Sequence, residues 1–586
     1  MPENYTVKDI YQGGYSSLSP TYGDIFTGYR TNAGNFGTTT DGRTANILQS
    51  LSDQISKGLK TIEVGSISPE VFESIPNQQL KEVKRLSKLT GVDVTVHAPV
   101  VEPSGMTQQG FSESGRNAIE RQINQFVERA HEMSSKGNIP VTLHSSAMLP
   151  GEIAEKGKKP EETFIINSET GSLHRLPIKT RAFPGEEEAN VSKEIAKINE
   201  EQWSQGIRSL SYYADMGEEA IRRSGFLARG AEAEEKAGKE LYPEEKSAQS
   251  SFNMGVSVLN DSYRQLKDLF ETANKYGSHT DKQVLGQFKE KIEENAKKIQ
   301  ENPRQKENVY LMADIIKEGV KAFNKIETSP QIFKPLNDFA QEKTTETFSN
   351  VALNAYKKFK DKAPIISVEN PPAGGAFSTG KELKELIEKS RKKFVEKAMK
   401  PKDQGGFGLS EATAREKAEK LLGVTWDVGH INMMKKFGYD DKEIIKETKK
   451  VAPLVKHIHL SDNFGFEHTE LPMGMGNVPI KEMMQKLPEK DIKKIVEAIS
   501  FYQHFKTPAV TATLEAFGSP VYSMEMAPYW NQTLGYQQGY VGGFEGAWIP
   551  QTNYETFGAG FMQLPKELGG QRPGAQGSRM SGTPME

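Results

Sequence analysis

The residues of this chain best equipped for chemistry are imidazoles and carboxylates at the ends of short apolar runs. Between Val424 and Pro479 the chain reads VTWDVGH, a polar helix-length segment, VKHIHLSDN, and a loop carrying EHTELPMGMGNVP. This places Asp427, His430, His459, His468 and Glu470 within a short span. Further residues of the same kind end apolar runs elsewhere: His97 in VDVTVHAP, His144 in PVTLHSS, Glu369 in PIISVEN and Glu515 in AVTATLEAFG. Neutral imidazole and carboxylate are the ligands that borderline divalent metals such as zinc and manganese accept. The set holds five of the chain's ten histidines, and with four carboxylates it is large enough for two or three ions. There is no cysteine, so thiolate sites and disulfides are excluded and any transition-metal site must use His, Asp and Glu.

Such residues need a scaffold that brings strand ends together. Short apolar runs alternate with helix-length segments, the βα signature of a parallel sheet. A first strand is expected near Ile25–Arg30, then strands over Thr61–Gly65, VDVTVHAP, PVTLHSS, PIISVEN, VTWDVGH, VKHIHLSD and, as the eighth, AVTATLEAFG. Helices are expected between them, including Arg116–Ser135, Gly380–Met399, Ser410–Leu422, Lys442–Val451 and Ile492–Phe505. Alternation puts Asp93, Thr95 and His97 on one face of the third strand and Val94 and Val96 on the other. The fold class is therefore α/β, a (β/α)8 TIM barrel whose polar strand faces point inward and whose active site lies at the carboxyl ends of the strands.

The rhythm breaks after the fourth strand. Roughly two hundred positions separate His144 from Glu369, where one βα unit needs a few dozen. The gap holds a candidate hairpin over Thr163–Ile178, then charged helical segments from Val191 to about Gln300 and from Asn308 to Phe323. The organisation read from this is a first barrel half over 1–148, a mainly helical insertion over 149–338 and a second barrel half over 339–520. A Gly- and aromatic-rich extension follows over 521–586, with disorder expected in its last ~20 residues. The insertion serves either as a peripheral support or as a clamp on DNA or a protein partner. Phe339–Lys360 restores the barrel's own helix.

Bulk properties narrow the function classes. With 586 residues, 36% hydrophobic and 26% charged, the chain describes a polar globular protein. A formal net charge of −3 gives no global attraction to nucleic acid, so DNA binding would need a local basic surface. The start, MPENYTVKDIYQGG, does not read as a signal peptide, and no apolar run suits a membrane span. A cytoplasmic location with no membrane partner is expected. The run KELKELIEKSRKKF is a solvated helix face. Glu63 points inward and either tunes the site or is simply hydrogen-bonded, His457 is a barrel-interior residue, Asp462 fixes its loop or orients a ligand, and Gly474 and Gly476 give that loop its turn.

VHAP, TLHSS, SVENP, WDVGH, HLSDN and TLEAFG resemble, in order and spacing, the endonuclease IV family within the xylose-isomerase-like TIM barrels. The resemblance covers roughly residues 20–148 and 340–520. It implies zinc-dependent hydrolysis of the phosphodiester at abasic sites in DNA, with hydroxide as nucleophile, the target nucleotide turned out of the stack, and a 3′-hydroxyl and a 5′-deoxyribose phosphate as products. It also implies a first metal on His97, His144 and Glu369, and a second on Glu369, Asp427, His459 and Glu515, with Glu369 bridging. A third would sit on His430 with His468 and Glu470. There the chain departs from the family's Asp-x-His order, having His, x, Glu instead. The alternative is a sugar isomerase or epimerase using one divalent metal on Glu369, Asp427, His459 and Glu515, with Glu369 and Glu515 relaying protons. A barrel kept as a binding module is the third possibility.

Overall fold

The computed structural model describes residues 36–43, 45–56, 59–65, 68–147, 149–158, 161–178, 190–301, 308–488, 492–498, 501 and 509–517. The strand expected at Ile25–Arg30 and the extension at 521–586 lie outside the described residues.

Eight parallel strands close into a barrel. In chain order they are β1 (Phe36–Thr39), β2 (Thr61–Gly65), β3 (Asp93–His97), β4 (Pro140–His144), β5 (Ile365–Glu369), β6 (Leu422–Asp427), β7 (Val455–Leu460) and β8 (Lys493–Val496). Each pairs with its sequence neighbours, and β1 pairs with β8 to close the ring. The fold is a (β/α)8 TIM barrel. Register aligns the functional ends: Glu369 lies opposite His144, and Asp427 opposite His459.

The first and eighth strands differ from the sequence expectation: the first is Phe36–Thr39, C-terminal to the Ile25–Arg30 expected for it. AVTATLEAFG is not a strand: Ala509–Ala516 is an α-helix. The barrel is closed by Lys493–Val496, inside the segment expected to be helical over Ile492–Phe505. Two charged residues open this strand and only two apolar ones follow, so periodicity over KKIVEA is too short to separate strand from helix. The decisive influence is tertiary, because the edges of β1 and β7 both need a partner.

Why the other elements form is visible locally. Outward residues such as Val94, Val96, Leu143, Ile366, Val368, Trp426 and Ile458 are buried beneath helices. Ser112 caps Glu113–Met133 by accepting from Gly115 N–H. Thr379 and Glu382 form a capping box on Gly380–Met399, as do Asp440 and Glu443 on Asp441–Val451.

Contacts divide the chain into 1–159 with 340–586, and 160–339. Residues 149–158 pack on barrel loops, where Gly151 N–H donates to Gly374 O at 2.8 Å and Lys156 N–H to Phe437 O at 2.9 Å. The second unit contains a three-stranded antiparallel sheet of Glu162–Asn167, Leu173–Pro177 and Phe333–Pro335. Helices Val191–Lys236, Pro243–Tyr276, His279–Glu301 and Asn308–Phe323 follow the hairpin. Their shared core includes Leu210, Leu259, Leu266, Phe288, Ile316 and Phe323. Gly217 and Gly255 let the two longest helices approach closely, since a Cβ on Gly255 would meet Gly217 O at 2.8 Å. Among the described residues no helix is long and apolar enough to cross a membrane.

Candidate metal centre

The barrel's carboxyl-terminal mouth is organised around Glu369, the last residue of β5, whose side chain is 1% exposed. Its two oxygens face different partners. Oε2 lies 3.1 Å from His97 Nε2 and 3.4 Å from His144 Nε2. Oε1 lies 2.8 Å from His459 Nδ1 and 4.0 Å from His430 Nδ1. His459 Nδ1 also lies 2.7 Å from Glu497 Oε2. Residues from β3, β4, β5, β7 and the end of β8 thus meet around one carboxylate.

Asp427 ends β6 and caps the short helix Val428–Asn432, its Oδ1 accepting the His430 N–H at 2.7 Å. Ser461 Oγ donates to the same oxygen at 3.1 Å. Asn370 clasps the strand end from β5: Asp427 N–H donates to its Oδ1 at 2.9 Å and its Nδ2 donates to Asp427 O at 3.0 Å. This fixes where the helix starts and delivers His430 to the mouth. Ligand atoms of Glu369, Asp427 and His430 lie within 4.8 Å of one another, as do those of His97, Glu369, His459 and Glu497.

The far nitrogens of two imidazoles show which nitrogen is presented. His97 Nδ1 lies 2.9 Å from Ala98 O, and His430 Nδ1 2.7 Å from Asn370 O. A carbonyl can only accept, so both Nδ1 atoms carry a proton and both Nε2 atoms face the mouth. Metal-binding histidines are held in this way. His430 Nε2 comes within 2.8 Å of His468 Nε2, two ring nitrogens converging on one point. The loop that supplies His468 and Glu470 is pinned by Asp462, whose carboxylate accepts from Asn463, Gly474 and Val478 N–H at 2.9, 2.8 and 3.1 Å. Gly476 has no room for a side chain there, since a Cβ would lie 2.3 Å from Asp462 Oδ1.

Electrostatics follow from burial against pairing. Burial disfavours charge on His97, but Glu369 beside it prevails and lifts it to about 9. Burial likewise opposes charge on His459, yet Glu369, Glu63 and Glu497 raise it well above the usual imidazole range. His144 goes the other way, to about 4, through burial and neighbouring imidazoles; His468, exposed on its loop, is lowered too by the protein packed about its ring and by His430. Burial acts against the Glu497 carboxylate, but His459 holds it down at about 2. Glu470 is pushed up to about 8 by burial and by Glu497. A crowd of imidazoles and carboxylates sharing so few protons is what a cation site looks like when its ligands have only one another. The donor set of imidazole nitrogen and carboxylate oxygen fits zinc or manganese.

Of the residues singled out in the sequence, His97, His144, Glu369, Asp427, His430, His459 and His468 meet at the mouth. Glu470 is half-buried where Glu497, His430 and Asp427 all act on its charge. Glu515 sits on the helix Ala509–Ala516 rather than at a strand end, and the carboxylate that ends β8 is Glu497. The signal for Glu497 was present: IVEA, an apolar pair running into a carboxylate, repeats the pattern of SVEN at Glu369. His457 is fully buried in the barrel interior, as its alternation with His459 implied.

No known protein-family profile matches the chain. A stretch of 117 residues, 19% of the chain, is 29% identical to an uncharacterized protein of Methanocaldococcus jannaschii (MJ1311), of whose length the match spans 38%. Among solved structures, a D-tagatose 3-epimerase-like protein aligns with a TM-score of 0.32 at 13% identity, over 82% of this chain and 98% of its own. The barrel assignment rests on this chain's own strand order.

Proposed function

We propose that the protein is a metal-dependent hydrolase of phosphate esters, with the phosphodiester at abasic sites in DNA as leading substrate. The observation that supports this reading most is the division of labour on Glu369, with Oε2 turned to His97 and His144 and Oε1 to His459. A carboxylate so placed is suited to bridging two divalent cations, and a single-cation site has no use for the Oε2 side. His97, His144 and Glu369 would hold one ion, and Glu369, Asp427, His459 and Glu497 a second. His430, His468 and Glu470 are the set for a third. Divalent ions bound there supply a lowered pKa for water and neutralise charge on phosphate oxygens. The chain's part is to fix the ring nitrogens through Ala98 and Asn370, to keep Glu369 and Glu497 ionised against burial, and to bury the site at the barrel mouth. Purified protein loaded with zinc should bind two or three ions and nick abasic duplex DNA, and chelation should stop it. Fully loaded protein that leaves such DNA intact would refute the abasic-site reading.

A second reading is a sugar isomerase or epimerase. The cluster of His97, Glu369, His459 and Glu497 is by itself sufficient for one cation, with two carboxylates available to move protons beside a carbonyl. One ion per chain together with turnover of a ketose would favour it.

A further inference from the structure

Three imidazoles at the mouth have their far nitrogens turned to an oxygen, and one of these oxygens differs in kind. For His97 and His430 it is a neutral main-chain carbonyl. For His459 it is a carboxylate: Nε2 faces Glu63 Oε2 at 3.1 Å, while Nδ1 faces Glu369 and Glu497. Glu63 stands on β2 with no exposure, one layer beneath the mouth. Thr95 Oγ1 donates to its Oε1 at 3.2 Å. Its Oε2 and His459 Nε2 face each other across 3.1 Å, two buried polar atoms each without a hydrogen-bond partner among the described residues. Another basic group beside it is His457, whose Nδ1 is 3.7 Å from Oε1 and 3.1 Å from Thr142 Oγ1.

A TIM barrel normally fills this layer with branched apolar side chains. Here Thr425 Oγ1 donates to Ser367 Oγ at 2.7 Å, and Thr142 Oγ1 lies 3.0 Å from Thr425 Oγ1. The layer thus consists of Glu63, Thr95, Thr142, Ser367, Thr425 and His457, all buried. A carboxylate sealed among hydroxyls is costly unless paired. His459 is the partner its geometry gives it.

We infer that Glu63 is a positioning residue that keeps the proton of His459 on Nε2, turns the Nδ1 lone pair to the mouth, and makes that nitrogen the strongest imidazole donor of the site. A full negative charge behind the ring raises its basicity more than the carbonyls behind His97 and His430 do. The cation shared by His459 and Glu497 is accordingly the tightest bound. This deepens the proposed function and rests on the mouth holding divalent cations.

The test is zinc titration of the full chain against a competing chelator, with 15N spectra of the histidine rings of the zinc-loaded protein. In the wild type, His459 should show a protonated Nε2 and a metal-bound Nδ1. Glu63→Leu should weaken the tightest zinc site by about 10–100-fold and alter the His459 ring signals. Glu63→Gln keeps an acceptor oxygen and should recover the ring signals and much of the affinity. A folded Glu63→Leu protein with wild-type affinity and ring signals would overturn the inference while leaving the hydrolase reading intact. If Glu63→Leu does not fold, Thr95→Val releases Glu63 from its hydroxyl donor, and a smaller loss in the same direction is expected. No change there would overturn the inference too. A wild type that binds one more zinc than Glu63→Gln would also overturn it, by making Glu63, His457 and His459 a cation site in their own right. A wild type that binds no zinc would sink this inference and the function together.

Discussion

The barrel and the insertion bury opposite kinds of side chain. In the barrel the space enclosed by the strands holds Glu63, Glu369, Asp427, His457 and His459, each at most 1% exposed. In the helical unit the interior is Leu210, Leu259, Leu266, Ile316, Phe323 and their neighbours. Apolar burial favours folding with no partner chemistry required. Buried ionisable groups oppose it unless each finds a counter-charge or a ligand. The helical interior thus stabilises its fold unaided while the barrel's depends on counter-charges or a ligand, and the two should respond to mutation differently.

The sharpest way to break that contrast is at Glu369. Glu369→Ala removes one shared group from two proposed cation positions. If each loses at least the ~10–100-fold that supporting groups alone carry, overall zinc affinity should fall by about 1,000-fold. Hydrolysis should vanish, and the metal-free protein should stay folded but melt somewhat earlier at neutral pH, because His97 and His459 lose the carboxylate that pairs their charge. A protein that unfolds instead would show that the cluster is structural. The mirror experiment lies in the insertion. Leu259 is 1% exposed, and Leu259→Ala should cost about 2–5 kcal/mol. Calorimetry should show the helical unit melting earlier while zinc stoichiometry stays as in the wild type. A loss of zinc on this substitution would contradict the separation.

What could be read from the sequence divides along the same line. Six of the barrel strands announce themselves by apolar runs ending in His, Asp or Glu, or by alternation, as in Asp93–His97 and Val455–Leu460; the first, FGTT at Phe36–Thr39, carries neither signal. The insertion's hairpin and helices are legible because their periodicity is undisturbed by function. The eighth strand was missed since KKIVEA is short and opens on two lysines, and AVTATLEA has the β-branched content of a strand. Propensity favoured the wrong segment, and ring closure between β1 and β7 overrode it. With that strand went Glu497. Also hidden were the contacts that need coordinates: Asn370 bridging β5 to β6, and Glu63 behind His459, residues whose role depends on what lies across the barrel. The third, smaller effect tests this correction. Glu497→Gln should weaken zinc binding by about 10–100-fold, and Glu515→Gln should leave it within about twofold. Equal losses would restore the tail helix to the site.

The smallest effect is a slope with pH, and it separates the mouth from the insertion without any change of covalent structure beyond one ring. His97 is lifted to about 9 in the metal-free fold because Glu369 outweighs the cost of burial. Its folded value exceeds its unfolded one, near 6.5, so the stability it contributes is fully present below pH 6.5 and is lost as pH rises through about 9. His459, raised as well, acts in the same direction. Metal-free protein should therefore lose melting temperature between pH 6.5 and 9, while zinc affinity climbs over the same window because fewer protons must be displaced. His97→Gln should flatten both slopes by the equivalent of one proton. His144→Gln should not, since burial and its neighbours hold His144 near 4 and it is already neutral at pH 7. The helical unit, with no comparable cluster among its described residues, should melt independently of pH across this range. Parallel pH slopes in both units, or a slope that His97→Gln leaves untouched, would place the titrating groups outside the mouth and remove the electrostatic distinction between the two regions.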